Sequence, residues 1–269
     1  MRHPRPSGSS RPTPGLRPRI VGVALLAGVL GACATIPPAP PRPVAEEARA
    51  ALARIEQYRG SLHDLRSRID ITVRRGGKAR RLSGVLLLLS EPASLRFEAL
   101  TPFGIPALVV AGDPKSLTLW ELLDNRAYIA PATPDANRRW LGLALGGEDL
   151  VALLSGRVRP MADPTAVELI PPDGVGPSLR LEGAASEQRI WFDPATGQAR
   201  QAEWTGKDPA RVTFTPTPAD GPPAGLRLET PDGLLQVTVA YHDPRINTSL
   251  DPALLSLTVP ENVRIQDFR

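Results

Sequence analysis

The sequence predicts a mainly β domain of the α+β class, built as a single strongly curved antiparallel sheet with helices covering its concave face. Two observations carry this. From about residue 65 onward, apolar residues recur at every second position in short runs separated by turn residues, and the spacing changes to three and four only near 46–62 and 134–156. About 225 residues follow a proline-rich segment, with no internal repeat and no second linker of similar composition, a length that suits one large β domain.

The first 45 residues read differently from the rest. Every charge from Met1 to Arg19 is basic, and prolines at 4, 6, 12, 14 and 18 break the stretch. The apolar run from Ile20 to Leu30 is about eleven residues long, whereas a helix crossing the hydrocarbon needs roughly twenty. It therefore fits the core of a signal peptide. The run ends in Leu30-Gly31-Ala32-Cys33, which resembles the lipobox of bacterial lipoproteins and implies cleavage before Cys33 and lipidation of its sulfur. The chain has one cysteine, so no intramolecular disulfide competes for it. Residues 1–32 are then a lipoprotein signal peptide, residues 33–45 the lipidated cysteine and a proline-rich tether, and residues 46–269 the folded domain. Ala34, being other than aspartate, implies by the same resemblance an outer-membrane destination, lipid-anchored and facing the periplasm. Removing the leader takes five basic and no acidic residues, so 32 against 28 becomes 27 against 28. The basic isoelectric point belongs to the discarded segment, and a nucleic-acid partner is not expected.

Within the domain, Ala48, Leu52, Ile55, Arg59 and Leu62 follow helical spacing. In LRSRIDITVRR the period becomes two, with Leu65, Ile69, Ile71 and Val73 on one face and Arg66, Arg68, Asp70 and Arg74 on the other, the pattern of a half-buried antiparallel strand. After the Gly76-Gly77 turn, RRLSGVLLLLS is apolar on both faces, so one side meets the core and the other needs a separate cover. Strands follow at about 94–100, 106–112, 116–122 and 126–131, separated by Glu91-Pro92, Gly112-Asp113-Pro114-Lys115 and Asp124-Asn125. Trp140, Leu141 and Leu143, then Leu150, Leu153 and Leu154, predict two short helices, the second ended by Gly156. From about residue 165 strands return to the end of LLQVTVAYHD, with Asp193–Gly197 as a turn and 215–225 as a long hairpin loop.

The segments LRSRIDITV, LSGVLLLL, LRFEALTPFGIPALVVAGDPKSLTLWE, RRWLGLALG and EDLVALLSGR occur in an order that resembles the LolB-like outer-membrane lipoproteins of the LolA/LolB-type lipoprotein-binding fold. The similarity runs from about residue 60 to 160. It implies a half-open β-barrel lidded by helices, with an apolar cavity for the acyl chains of lipoproteins handed over by a LolA-type periplasmic carrier. The residues expected to line such a cavity are Leu86, Leu88, Phe97, Leu119, Trp120, Trp140, Leu141, Leu150 and Leu154. The family's membrane-insertion loop falls on Thr101-Pro102-Phe103-Gly104-Ile105-Pro106, where Phe103 and Ile105 either wedge into lipid headgroups or fold back on the sheet.

The implied function is receipt and insertion of lipoproteins at the outer membrane by a monomer anchored through its own lipid. The alternative is a structural or envelope-assembly lipoprotein on the same fold. No enzyme, metal or cofactor is expected: His63 and His242 lack zinc-ligand spacing, and neither a Gly-x-Ser-x-Gly nor a phosphate-binding glycine loop occurs.

Overall fold

The computed structural model describes residues 45–217 and 224–268. The signal segment, Cys33 and all of the tether before Ala45 lie outside the described residues. Helix α1 (Glu46–Gly60) opens the domain, burying Ala48, Ala51, Ile55 and Tyr58 along one stripe. Glu46 and Glu47 in its first turn and Arg59 in its last complement the helix dipole.

The chain then runs through β1 (Asp64–Arg75), β2 (Lys78–Ser90), β3 (Ala93–Leu100), β4 (Pro106–Gly112), β5 (Ser116–Glu121) and β6 (Arg126–Pro131). Two helices interrupt the strands, α2 (Pro134–Leu141) and α3 (Gly147–Leu154). Thr133 caps α2 by accepting from the Ala136 N–H at 3.3 Å, and Gly156, with φ of +74°, turns the chain just beyond α3. The second run is β7 (Ala166–Ile170), β8 (Ser178–Glu182), β9 (Glu187–Phe192), β10 (Ala199–Thr205), β11 (Ala210–Thr215), β12 (Gly225–Glu229) and β13 (Leu235–Ile246). A 3₁₀ turn at Pro252–Leu255 precedes a short β14 (Arg264–Asp267).

All of these strands join one fourteen-stranded sheet of order β14-β6-β5-β4-β3-β2-β1-β13-β12-β11-β10-β9-β8-β7. Strand β13 pairs with β1, setting Tyr241 against Ile69 and Val239 against Ile71, and so joins the two meanders side by side. Among the described strands only the pairing of β14 with β6 is parallel.

The expected strongly curved, half-open barrel is not formed. The sheet is open, neither closed nor strongly curled, with β14 and β7 as its two edges, and the helices lie on a face of that open sheet. Closure requires edge strands that can pair and a repeated pattern of bulges to bend the sheet. The four residues of β14 are all exposed, and register irregularities among the described residues are confined to Arg66/Arg68, Ala99/Leu100 and Ala199/Gln201. Period-two alternation reports which face is buried and carries no information on how far the sheet bends.

The core occupies the helix-covered face. Helix α1 covers β7 and β8, and α3 covers β2 and β3. One continuous cluster links Ile55 of α1 and Val151 and Leu153 of α3 to Leu86, Leu88, Phe97, Leu181, Ile190 and Val239 of the sheet. Each such side chain contributes about 1.5–3 kcal/mol by leaving water. The Tyr241 hydroxyl donates to the Leu154 carbonyl at 2.8 Å, tying the last turn of α3 to β13. On the opposite face the 3₁₀ turn lies over β2 and β3, and Arg96 donates to the Ser256 carbonyl there. This is the cover that the second apolar row of β2 requires.

Candidate functional site

The loop between β3 and β4 is closed by its own hydrogen bonds. The Thr101 N–H donates to the Ile105 carbonyl at 2.8 Å, the Gly104 N–H donates to the Thr101 carbonyl at 2.9 Å, and Gly104 takes φ of +78°. That geometry leaves Phe103 and Ile105 pointing away from the sheet, 89% and 61% exposed. Of the two placements open to Phe103, folding back on the sheet is not the one adopted.

Beside this loop the sheet splits. Strands β2 and β3 pair from Ser90 and Ala93 only as far as Gly84 and Ala99, after which β3 shifts register at Leu100 while the β1–β2 hairpin runs on to Gly76-Gly77. Gly84 is required at the point of separation, since a Cβ there would lie 1.9 Å from the Glu98 carbonyl oxygen. The resulting cleft holds about 720 Å³, and Leu82, Val85, Leu100, Pro102, Ala107 and Leu108 give it an apolar lining. That volume lies in the range of small-molecule sites.

One wall of the cleft is polar. Asp70 accepts from the Ser83 hydroxyl at 2.5 Å and faces His242 Nε2 at 2.8 Å. The bond from Ser83, then that from His242, holds the Asp70 carboxyl below the usual range. Arg68 pairs with Asp243 at 2.6 Å. The Ser83 hydroxyl donates to this carboxylate, and no hydrogen bond joins it to His242 among the described residues, so the serine–histidine contact of a nucleophile and its imidazole base is not made. Asp64, beside His63, is buried in a structural role: it accepts from the N–H and hydroxyl of Thr248 and from the N–H groups of Ser249 and Leu250. No group of three or more His, Cys, Asp or Glu among the described residues could hold a metal, and none of the described helices is long and apolar enough to cross a membrane.

The residues expected to line an acyl cavity divide between the two faces. Leu86, Leu88 and Phe97 are 1%, 0% and 6% exposed in the core, and Leu141, Leu150 and Leu154 pack against that core from the helices. Leu119 shares their face, since it pairs with Val110 and Tyr128. Trp140 meets Tyr128 and Phe268 edge-on, with ring centroids 5.7 Å and 5.1 Å away. Trp120, one residue after Leu119, necessarily points to the other face, where its Nε1 is buried with no hydrogen-bond partner among the described residues. Beneath α2 and α3, a void of about 10 Å³ bounded by Leu95, Leu117, Asn137, Leu150 and Val151 is no larger than a single water requires. Of the nine, Leu86, Leu88 and Phe97 are therefore core, while Leu119, Trp120, Trp140, Leu141, Leu150 and Leu154 are partly buried.

A second hollow of about 560 Å³ lies between α3 and the β2–β3 turn, with the buried Arg157 beside it. Arg157 donates to the Ser155 carbonyl at 2.8 Å and sits 4.3 Å from the Tyr58 ring centroid. On the rim Arg59 pairs with Glu56 and Arg159 with Glu148, so the arginines there have partners already.

No family model matches this chain, and no curated protein matches its sequence. Solved structures do match its fold. A DUF1329 family protein from Desulfovibrio piger is 14% identical and aligns over 78% of this chain and 96% of its own, with a TM-score of 0.55. A domain described as an outer membrane lipoprotein-sorting protein, from Vibrio parahaemolyticus, is 11% identical and aligns over 78% of this chain and 97% of its own, also with a TM-score of 0.55. At these identities the likeness is one of fold alone.

Proposed function

We propose that this protein is a non-catalytic envelope lipoprotein that engages the acyl chains of other lipoproteins at a membrane surface and helps to insert them. The observation that carries the reading is Phe103, 89% exposed at the rim of an apolar cleft of about 720 Å³. An aromatic ring in water beside an open greasy slot has a use where lipid is met, and each acyl methylene sheltered from water contributes about 0.8 kcal/mol. The cleft replaces the enclosed bowl as the place for a fatty tail. In this reading residues 1–32 are removed, Cys33 carries the lipid, residues 33–45 span the distance to the folded domain, and the anchor lies in the outer membrane facing the periplasm. A LolA-type carrier is the proposed donor.

Replacing Phe103 with glutamate tests this directly. The side chain touches little of the protein, so the melting midpoint stays within about 2 °C of the parent. Transfer of an acylated lipoprotein to membranes falls at least tenfold. Normal transfer by the variant removes the proposed role of Phe103.

The packed interior beneath α2 and α3 favours a second reading, an envelope-assembly lipoprotein whose covered face serves only stability. Lipid extracted from the purified protein separates the two: acyl chains in stoichiometric amount support the first, and a lipid-free protein held in a stable envelope complex supports the second.

A further inference from the structure

We infer that one end of the sheet is a docking edge for anionic phospholipid headgroups, with apolar tips that enter the bilayer interface beside a cluster of cations. The inference rests on the reading that the protein works at a membrane and does not depend on acyl transfer. Strand directions alternate, so the β1–β2, β3–β4, β5–β6 and β12–β13 turns all emerge at the same end of the sheet. The four most exposed large apolar side chains among the described residues are Phe103 at 89%, Leu123 at 77%, Ile105 at 61% and Leu234 at 60%, and every one of them sits on these turns. The others are 54% exposed or less.

The tips are held in place. The Leu234 N–H donates to Asp232 Oδ1 at 3.0 Å, and the Leu234 carbonyl accepts from the Gly76 N–H at 3.1 Å, which fixes the Leu234 turn against the β1–β2 turn. Asn125, with φ of +51°, reverses the chain after Leu123, and its side chain donates to the Asn262 carbonyl at 3.0 Å.

Charge identifies the occupant. The stretch Arg74-Arg75-Gly76-Gly77-Lys78-Ala79-Arg80-Arg81 carries five cations and no acid, and all eight residues are exposed. None of the five forms an ion pair among the described residues, whereas Arg68, Arg96, Arg138, Arg180, Arg189, Arg200, Arg211 and Arg227 each hold a carboxylate within 3.0 Å. A hairpin of unmatched cations beside the Leu234 turn and on the same end as the Phe103 and Leu123 turns matches the negative surface potential and apolar interior of an anionic bilayer.

Amide hydrogen exchange on the full chain, carrying Cys33→Ser so that no lipid tethers it, reads the contact turn by turn. With vesicles of phosphatidylcholine containing phosphatidylglycerol, segments 74–81, 101–105, 122–125 and 230–234 gain protection together, while the opposite-end turns at 113–115 and 193–198 do not. Pure phosphatidylcholine vesicles protect them at least tenfold less. The triple variant Arg74→Glu, Arg75→Glu, Lys78→Glu needs at least tenfold more anionic lipid for half-maximal protection, and the pair Leu123→Ser, Leu234→Ser lowers protection at unchanged melting midpoint. Equal protection on neutral lipid, protection at the opposite end, no response to either variant, or equal protection by polyglutamate in place of vesicles overturns the inference. If the triple variant loses docking and still retains acylated peptide, the edge acts independently of the cargo; a parent that docks as described without holding acyl chains removes the cargo reading alone.

Discussion

Asp64 shows how a carboxylate with a histidine as its neighbour in sequence can be wholly structural in space. It is 3% exposed, and burial alone would push its carboxyl up. The donors of Thr248, Leu250 and Ser249 outweigh that burial and hold it below the usual range. A carboxyl depressed on folding adds stability above its unfolded pKa, near 4, and that stability is lost as pH falls through the folded value. Asp64→Asn turns one acceptor into a donor facing N–H groups, so it destabilises by about 1–3 kcal/mol at pH 7. Urea midpoints measured from pH 7 down to 2 check both statements: the gap between parent and variant narrows below about pH 4, and a gap that does not change with pH rules out the ionised carboxylate as the cause. None of this network was legible in the sequence, because its partners lie 184 to 186 residues away. Nor was the pairing of His242 with Asp70, at a separation of 172 residues, where sequence adjacency points instead to Asp243. The exposure of Phe103 was half legible: its place in a turn limits it to two fates, and the loop's internal hydrogen bonds choose between them.

At the scale of elements, the period of the apolar pattern located helices and strands well, because both periodicities are local. Among the described residues, thirteen of the fourteen strands and all three α-helices follow from spacing and turn residues. The exception is β14, whose four exposed residues have no apolar alternation and which is a strand only because β6 offers an open edge. The doubly apolar character of β2 pointed to a second cover but not to its source, since the 3₁₀ turn that provides it begins more than 150 residues later. Gly84 marks another limit. As a lone glycine within a strand it reads as a weak position, yet the close approach of the Glu98 carbonyl makes the missing Cβ a condition for β2–β3 pairing. Gly84→Ala forces that carbonyl away and costs at least about 1–3 kcal/mol. Its local mark is faster amide exchange of β2 and β3 around the cleft, with α1 unchanged; exchange indistinguishable from the parent would show that the strands part freely there.

Across the whole molecule, the question is where a fatty tail can go when the sheet does not close. An alternating pattern states that one face is covered, and both a hollow barrel and a filled two-layer sandwich satisfy it. In this chain a void of only about 10 Å³ lies under the short helices, a hollow of about 560 Å³ rimmed by paired arginines and glutamates lies beside α3, and an apolar space of about 720 Å³ lies where β2 and β3 part. Two substitutions separate the locations. Leu88 is fully buried beneath the helix layer, so Leu88→Ala costs about 3 kcal/mol through lost contact and the void left behind. At roughly 2–4 °C per kcal/mol for a domain of this size, the melting midpoint drops by about 6–12 °C. Binding of a fluorescent fatty-acyl probe, measured well below that midpoint, stays within about twofold of the parent. Val85 lines the cleft and is only partly buried. Val85→Asp places a charge where the tail would lie, so probe affinity falls at least tenfold while the midpoint changes far less than for Leu88→Ala. Should Leu88→Ala instead tighten the probe, and Val85→Asp leave it unaffected, the tail enters the helix-covered interior and α3 must lift from β2 and β3 to admit it.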